Sequence, residues 1–206
     1  MKLTWIGHSC FALESNGYRI ILDPYNEGSV PGLKPVREQA NQFFCSHEHG
    51  DHNAVSAVTL QKGQESPFTV TELETFHDGE RGAQRGRNTI RIFDDGTYKV
   101  AHMGDLGCRP EEDQMQQLKG MDVILIPVGG FYTIDGEQAA SLILQLMPRI
   151  VVPMHFRGET FGFDVIRPVD DFLNLQDNVT MAGCSVLELP GQYENGTVVL
   201  EPLNKE

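Results

Sequence analysis

The sequence predicts an α/β sandwich, in which two β-sheets pack together and helices lie outside them. Three observations predict this class. Short strand patterns joined by tight turns open each half of the chain, strand–helix–strand patterns follow, and two apolar runs, 123–126 and 150–152, flank one helix. Such runs are typical of parallel strands that helices cover. A length of 206 residues fits one domain, spanning residues 1–206.

The first two dozen residues predict a β-meander. Its strands are 3–6, 10–13 and 18–22. The pair Asn16-Gly17 is a strong signal for the hairpin between the second and third strands. The meander therefore leaves His8 and Asp23 at strand ends.

The middle of the chain alternates loops and strands. The pattern predicts a loop over 25–41, a strand over 42–45, a short helix over 54–60, a strand over 69–76 and strands over 89–93 and 97–103. Asp94-Asp95-Gly96 predicts a hairpin between the last two.

The last third predicts three helices among buried strands. In order these are a helix over 111–119, a strand over 123–126, a helix over 136–147, a strand over 150–152, a helix around 169–175 and strands over 186–189 and 197–200. Pro110 is expected in the first turn of the first helix. Asp135 is expected to cap the second helix, since its carboxylate can accept a backbone N–H.

The charge balance argues against some classes of partner. A formal net charge of -13 disfavours nucleic acid and anionic membranes, because both are bound by basic surfaces. The chain shows no signal peptide or membrane span, and its four cysteines are scattered as expected of free thiols. We therefore expect a cytoplasmic protein with a small-molecule substrate, and leave homo-oligomerisation open.

The motif His47-x-His49-x-Asp51-His52 predicts a metal site. Imidazole and carboxylate groups bind divalent zinc, manganese or iron, and few other roles explain this density. In an extended segment residues i and i+2 point to the same side, so His47 and His49 would bind one ion. A turn at Gly50 would then present Asp51 and His52 to a second ion.

Three further candidates follow predicted strands. His77 follows strand 69–76, Asp105 follows the strand that ends at residue 103, and His155 follows strand 150–152. Functional groups in α/β folds gather at the carboxyl ends of strands. We therefore expect these residues to join the histidine-rich motif.

In this order the motifs resemble the metallo-β-lactamase superfamily, over nearly the whole chain. Within it the sequence is most similar to the branch of ascorbate-6-phosphate lactonases and related metal-dependent hydrolases. The supporting segments are Gly7-His8-Ser9, Leu22-Asp23-Pro24, His102-Met103-Gly104-Asp105-Leu106-Gly107, Pro127-Val128-Gly129-Gly130 and Pro153-Met154-His155.

The resemblance implies an αββα sandwich with two divalent metal ions at one edge. The implied ligands are His47, His49 and His77 for the first ion, Asp51, His52 and His155 for the second, and Asp105 between both. Zinc is preferred over manganese, iron or nickel, all of which accept these donors. Asp51 and Asp105 would also be catalytic, since the ions they hold turn a bridging water into a hydroxide nucleophile.

Three polar residues near the motifs are open to more than one interpretation. His102 is expected to orient a ligand or substrate, with His77 favoured over it as the ligand. His8 could donate a proton, contact substrate or be structural. Asp23 could accept a hydrogen bond from a ligand imidazole or simply end a strand.

Four residues are candidates for substrate binding. Arg81, Arg85 and Arg87 lie on a glycine-rich loop after His77, where they could bind a phosphate or carboxylate or merely be solvated. Tyr132 could donate to a developing oxyanion.

The sequence thus predicts a two-metal hydrolase that cleaves an ester, lactone or phosphodiester bond in a small anionic substrate. Two alternatives are a non-hydrolytic di-iron redox module and a nuclease of the same superfamily. The length leaves no room for a flavin domain, and the acidic charge disfavours a nuclease.

Overall fold

A computed structural model describes all 206 residues and contains fourteen β-strands and three α-helices. The first large sheet has five strands. They are β1 Lys2–Gly7, β2 Cys10–Ser15, β3 Tyr18–Leu22, β5 Gln42–Phe44 and β13 Val186–Glu188. Their order is β13-β1-β2-β3-β5. Asn16 and Gly17 both have positive φ, 51° and 78°, which confirms the predicted hairpin between β2 and β3.

The second large sheet has seven strands. They are β7 Thr69–Phe76, β8 Arg87–Asp94, β9 Lys99–His102, β10 Val123–Pro127, β11 Ile150–Met154, β12 Val179–Met181 and β14 Gly196–Val199. Their order is β12-β14-β11-β10-β9-β8-β7. The pairing of β10 with β11 is parallel, as predicted from their apolar sequences.

A separate pair of short strands corrects two predictions. β4, Glu38–Ala40, lies inside the predicted loop and pairs in parallel with β6, Val58–Leu60. The helix predicted over 54–60 is wrong, because only Val55–Ala57 form a 3-10 turn before β6 begins. Burial of Val58 and its pairing with a distant strand decide this local structure.

The three helices lie between β9 and β12. They are α1 Glu112–Leu118, α2 Gly136–Leu146 and α3 Asp170–Leu173. Asp135 caps α2 as predicted, accepting a hydrogen bond from the Gln138 N–H at 2.9 Å. Glu111 is the N-cap of α1, so Pro110 precedes the helix and the predicted place in its first turn is wrong. No helix of the chain is both long enough and apolar enough to traverse a bilayer.

One apolar core joins the two sheets, and the predicted α/β sandwich is confirmed. Trp5 and Phe11 of the first sheet belong to the same cluster of buried side chains as Phe93, Ile124 and Val152 of the second. All five are fully buried. The four cysteines are free, as expected.

The strand directions gather the polar residues at strand ends. β1 and β3 are both antiparallel to β2, and β5 is parallel to β3, so these three strands end at one edge. β7 and β9 are both antiparallel to β8, and β10 and β11 are parallel to β9, so these four also share an edge. The polar residues that follow these strands are His8, Asp23, the segment 46–52, His77, Asp105 and His155.

Candidate metal centre

The structure brings the predicted ligands together in two groups of donor atoms. The first group is His47, His49 and His77, and the second is His8, Asp51, His52 and His155. Within each group the donor atoms lie within 4.8 Å of one another. The first group matches the predicted ligands of one ion, whereas the second contains His8 in addition to the predicted set.

Asp105 lies between the two groups. Its Oδ2 is 3.2 Å from Nε2 of His77, 3.1 Å from Nε2 of His52 and 3.2 Å from Nε2 of His155. Nε2 of His47 is 3.9 Å away. One carboxylate oxygen therefore faces imidazoles of both groups.

Unpaired ring nitrogens show that these residues fit a metal. Buried polar atoms without partners are costly and rare in proteins. Here seven buried imidazole nitrogens lack a hydrogen-bond partner, namely Nδ1 and Nε2 of His8, Nε2 of His47, Nε2 of His52, Nδ1 of His77, and Nδ1 and Nε2 of His155. Divalent ions would bind several of these atoms, so the donor set fits the metal chemistry that the sequence predicts.

The histidine-rich motif is bent rather than extended. Residues 46–49 are bends and 50–52 a turn, closed by the His52 N–H on the His49 carbonyl at 2.9 Å. The argument from an extended segment is therefore wrong, although His47 and His49 still share a group. Glu48 is exposed and belongs to neither group, as expected.

A carboxylate behind the motif orients two of its imidazoles. Oδ2 of Asp23 accepts a hydrogen bond from Nδ1 of His52 at 2.8 Å. The Ser46 N–H and hydroxyl donate to the same carboxylate at 2.6 Å each, and the hydroxyl accepts from Nδ1 of His47 at 2.9 Å. These hydrogen bonds hold both rings by Nδ1, so Nε2 of each histidine is free to act as a metal ligand. Asp23 thus takes the first of its two predicted roles.

Asn88 orients Asp105, a role that no pattern in the sequence indicates. Its Oδ1 accepts the Asp105 N–H at 2.9 Å, and its amide donates to Thr75 Oγ1 and the Met103 carbonyl, both at 2.9 Å. Asn88 is fully buried at the start of β8. Its partners lie on β7 and just after β9, so only the folded sheet identifies it.

The protonation states of the site follow from burial and from its two buried carboxylates. Burial lowers the pKa of His47 to about 3 and the pKa of His8 to about 4. Burial would also lower the pKa of His52, but Asp105 and Asp23 outweigh it and raise that pKa well above the usual value. Without metal, His52 is therefore protonated at neutral pH.

The carboxylates of Asp105 and Asp51 stay ionised because neighbouring imidazoles stabilise their negative charge. Burial would raise the pKa of Asp105, but His155 and His52 hold it well below the usual value. Burial would likewise raise the pKa of Asp51, but the nearby imidazole of His8, 3.4 Å away, and the charge of His52 lower it instead. Ionised carboxylates are the form that binds metal.

His102 does not belong to either group of donors. Its Nε2 donates to the Ser9 carbonyl at 2.9 Å, and its Nδ1 accepts from the Gly104 N–H at 3.2 Å. With both ring nitrogens engaged by backbone, it has no atom to offer a substrate or a metal. These contacts do not support the predicted catalytic role of His102, and they instead position the segment that carries Asp105.

A cleft of about 370 Å³ opens over the donor groups, a volume suited to a small molecule. It is lined by Ser29, His49, Gly50, Asp51, His77, Arg85, Asp105, Tyr132 and Phe163. His8 is only 1% exposed and does not line the cleft. Direct contact of His8 with substrate, one of its predicted roles, is therefore not supported.

Of the three predicted arginines only Arg85 reaches this cleft. Its guanidinium lies 5.7 Å from the centre of the Tyr132 ring. Arg81 is exposed and outside the cleft lining. Arg87 lies on β8, where its side chain is 3.4 Å from exposed Glu74. The structure therefore does not support substrate binding by Arg87 or Arg81, and for both residues this role stays a prediction.

The buried carboxylate of Asp78 orders the loop that carries Arg85. It accepts backbone N–H groups from Glu80, Gly82, Gln84 and Arg85 at 2.7–3.0 Å. Burial would raise the pKa of Asp78, but these four donors lower it. Arg85 therefore stands on a loop with a defined backbone.

Comparisons with a family model and with related proteins indicate the same family for this chain. Residues 2–155 match the family described as beta-lactamase superfamily domain. A UPF0173 protein of Pyrococcus furiosus is 29% identical, with 76% of this chain and 83% of the relative covered. A UPF0173 metal-dependent hydrolase of Hyperthermus butylicus is 26% identical, with 79% and 85% covered.

A solved structure extends this likeness over nearly the whole chain. It is that of a Thermotoga maritima protein presented as a proposed zinc-dependent hydrolase of the metallo-β-lactamase superfamily. The two chains are 32% identical and superpose with a TM-score of 0.75, covering 97% of this chain and 98% of that one. Similarity to the ascorbate-6-phosphate lactonase branch stays a prediction. By its sequence match, its fold and its relatives, this chain belongs to the metallo-β-lactamase superfamily.

Proposed function

We propose that this protein is a metal-dependent hydrolase that uses two divalent ions to cleave an ester, lactone or phosphodiester bond in a small anionic substrate. The observation that carries the proposal is the position of Asp105 Oδ2 between two groups of unpaired imidazoles. The hydrolase descriptions of the Hyperthermus and Thermotoga proteins support it. Zinc is the metal we favour.

The chain would supply the ligands and the order of the site. His47, His49 and His77 would hold one ion, Asp51, His52 and His155 the other, and Asp105 both. When bound, the ions would lower the pKa of a water and polarise a carbonyl or phosphoryl oxygen. Asp51 and Asp105 line the cleft, so both carboxylates stand where a reacting water and substrate would meet.

Arg85 supports an anionic substrate. It is the one lysine or arginine among the residues that line the cleft, in a protein whose net charge is -13. A half-buried guanidinium facing the site would bind a phosphate or carboxylate through paired hydrogen bonds. The positive charge of Arg85 would also raise the concentration of anionic substrate at the metal site of a protein that is acidic overall.

An aromatic wall beside Arg85 supports a substrate that also has an apolar part. Tyr132 and Phe163 line the cleft and contact each other, and Phe131, 61% exposed and outside the lining, packs edge-on against Tyr132. Phe131 has φ of 60° at the centre of a γ-turn, with the Tyr132 N–H on the Gly130 carbonyl at 2.7 Å. This turn is strained, and strain that holds an aromatic ring in solvent is typical of binding sites.

Metal content and hydrolysis of one protein sample test the proposal. Protein purified without added metal would be analysed for bound metal and then assayed on a panel of lactones, phosphodiesters, esters and thioesters. We expect two divalent ions per chain and turnover that a chelator abolishes. Asp105→Ala should lose turnover, whereas Glu48→Gln, which changes an exposed carboxylate in the same motif, should keep it.

Two results would overturn this function. One is wild-type turnover by Asp105→Ala with its metal content intact. The other is a fully metal-loaded wild type that hydrolyses no member of the panel, in which case iron with a visible absorption band would favour the redox alternative. The cytoplasmic location and the absence of nucleic-acid partners stay predictions.

A further inference from the structure

We infer that His8 is a ligand of the second ion, so that this ion has four side-chain ligands of its own beside the shared Asp105. The inference rests on the proposed two-metal function. It comes from the geometry of the second group, in which His8 Nε2 is 3.4 Å from Asp51 Oδ2 and His52 Nε2 is 3.6 Å from the same oxygen. Two donors bound to one ion at about 2.0–2.2 Å lie no more than about 4.4 Å apart, so both distances fit ligands of a single ion.

The imidazole of His8 has no other task in the folded chain. Both of its nitrogens are buried and lack a hydrogen-bond partner, and the side chain is 1% exposed. A general acid or a substrate contact has to reach the cleft, which His8 does not line. A metal ligand needs only to reach the ion, so ligation through Nε2, the nitrogen that faces Asp51, explains why that buried nitrogen lacks a partner.

The backbone holds His8 in a strained conformation that aims its ring at the group. Its φ is 54°, in the left-handed region that histidine rarely adopts. Its carbonyl accepts hydrogen bonds from the Trp5 indole N–H at 2.9 Å and from the His155 N–H at 3.3 Å. His155 has φ of 52°, and the two rings are 4.1 Å apart. A strained backbone that hydrogen bonds from Trp5 and His155 hold in place is typical of functional residues.

A fourth ligand makes the two metal positions unequal. The second position would be surrounded by buried donors, His8, His52 and His155, with Asp51 at its open side. The first would keep three histidines, of which His49 is exposed and lines the cleft. Closed sites bind metal for structure, whereas catalytic ions keep an open coordination position. The second ion would therefore bind first and more tightly, and the first would accept the substrate.

Cobalt titration of metal-free protein tests this assignment directly. Co²⁺ reports each binding step by its visible absorption, whose intensity depends on coordination number. The informative variant is His8→Asn, because asparagine tolerates positive φ but its shorter side chain cannot reach the ion. The matched variant is His49→Asn, which removes a ligand of the other position. A thermal melt of both metal-free variants would show that they fold.

We expect wild type to take up two Co²⁺ ions in two steps. His8→Asn should weaken the tighter step at least ~10-fold, the loss that changes outside the ligand shell already cause. His49→Asn should weaken the other step instead. Unchanged affinities and spectra of both steps in His8→Asn would overturn the inference, whatever its activity. A wild type that binds one ion, weakened by His8→Asn, would keep the inference and overturn the two-metal function.

Discussion

The carboxylate of Asp23 and the imidazole of His52 form a buried hydrogen-bonded pair, with Nδ1 and Oδ2 2.8 Å apart. Asp23 also accepts both donors of Ser46, whose hydroxyl contacts Nδ1 of His47. A single carboxylate thus sets the ring orientation of one predicted ligand of each ion. It links the end of β3 to the motif after β5, two parallel neighbours.

Asp23→Asn should weaken both metal positions without removing a ligand. The neutral amide keeps the shape but attracts Nδ1–H of His52 less and can turn its NH₂ toward it. Loss of such a partner costs 10–100-fold in metal affinity. Zinc titration against a competing chromophoric chelator would measure the loss, with Glu48→Gln as the control. Wild-type affinity in Asp23→Asn would show that the pair does not tune the site.

Arg85→Ala should raise KM for an anionic substrate while metal content stays normal. A hydrogen bond to a charged group contributes about 1.5–3 kcal/mol, and partial exposure of Arg85 places its effect near the lower limit, about 10-fold in KM. Arg87→Ala is the matched control, because its exposed side chain faces Glu74 instead of the cleft. Arg85→Lys keeps the charge but loses the paired geometry, so it should fall between them.

Two other outcomes of the comparison between Arg85→Ala and Arg87→Ala would change this interpretation. Equal effects of Arg85→Ala and Arg87→Ala would mean that the cleft does not select its substrate through Arg85. An effect on kcat alone would instead place Arg85 at the reacting bond.

Metal binding should become weaker as the pH falls. In the metal-free site Asp105 and Asp23 raise the pKa of His52, while burial keeps His47 and His8 neutral, with pKa values of about 3 and about 4. A metal must therefore displace the His52 proton, and acid favours the protonated form. The affinity should therefore fall throughout the range below the raised pKa of His52, and more steeply near pH 4 and below, where His8 and His47 also take up protons.

Calorimetry in buffers of different ionisation enthalpy would count the protons released on binding. At neutral pH we expect at least one. Asp23→Asn removes one carboxylate that raises the pKa of His52, so it should release fewer protons. Proton release near zero in wild type would contradict the assigned protonation state.

The strand ends were predictable from the sequence, and their connections were not. His77, Asp105 and His155 follow apolar or β-branched strands. The edge that β7 and β9 share follows from the antiparallel strand between them, and the edge that β10 and β11 share follows from the helix between them. The helix predicted over 54–60 failed because Val58 pairs with β4, a partner some twenty residues away that leaves no local pattern. Asn88 and Ser46 were missed for the same reason. Their roles depend on hydrogen bonds to distant segments. A single polar residue beside a strand gives no sequence pattern from which such bonds can be predicted.

Gly104→Ala should damage the fold and the site together. Gly104 has φ of 57°, and a Cβ there would lie 2.3 Å from Asn88 Oδ1 and 2.5 Å from Ser46 Cβ. Those two residues position Asp105 and the ligand histidines. Gly96→Ala is the matched control, because Gly96 also has positive φ, 85°, but nothing lies within 4 Å of its Cβ position. Both variants share the cost of left-handed backbone, about 1 kcal/mol.

The collision at Gly104 should add about 2 kcal/mol of overpacking to that shared cost. For a chain of this size that difference corresponds to a Tm lower by roughly 4–8 °C than that of Gly96→Ala. Thermal unfolding of the metal-free proteins would measure it, and zinc titration should show weaker binding for Gly104→Ala alone. Equal Tm values and equal affinities would mean that the close approach of Gly104 to Asn88 and Ser46 does not hold Asp105 in place.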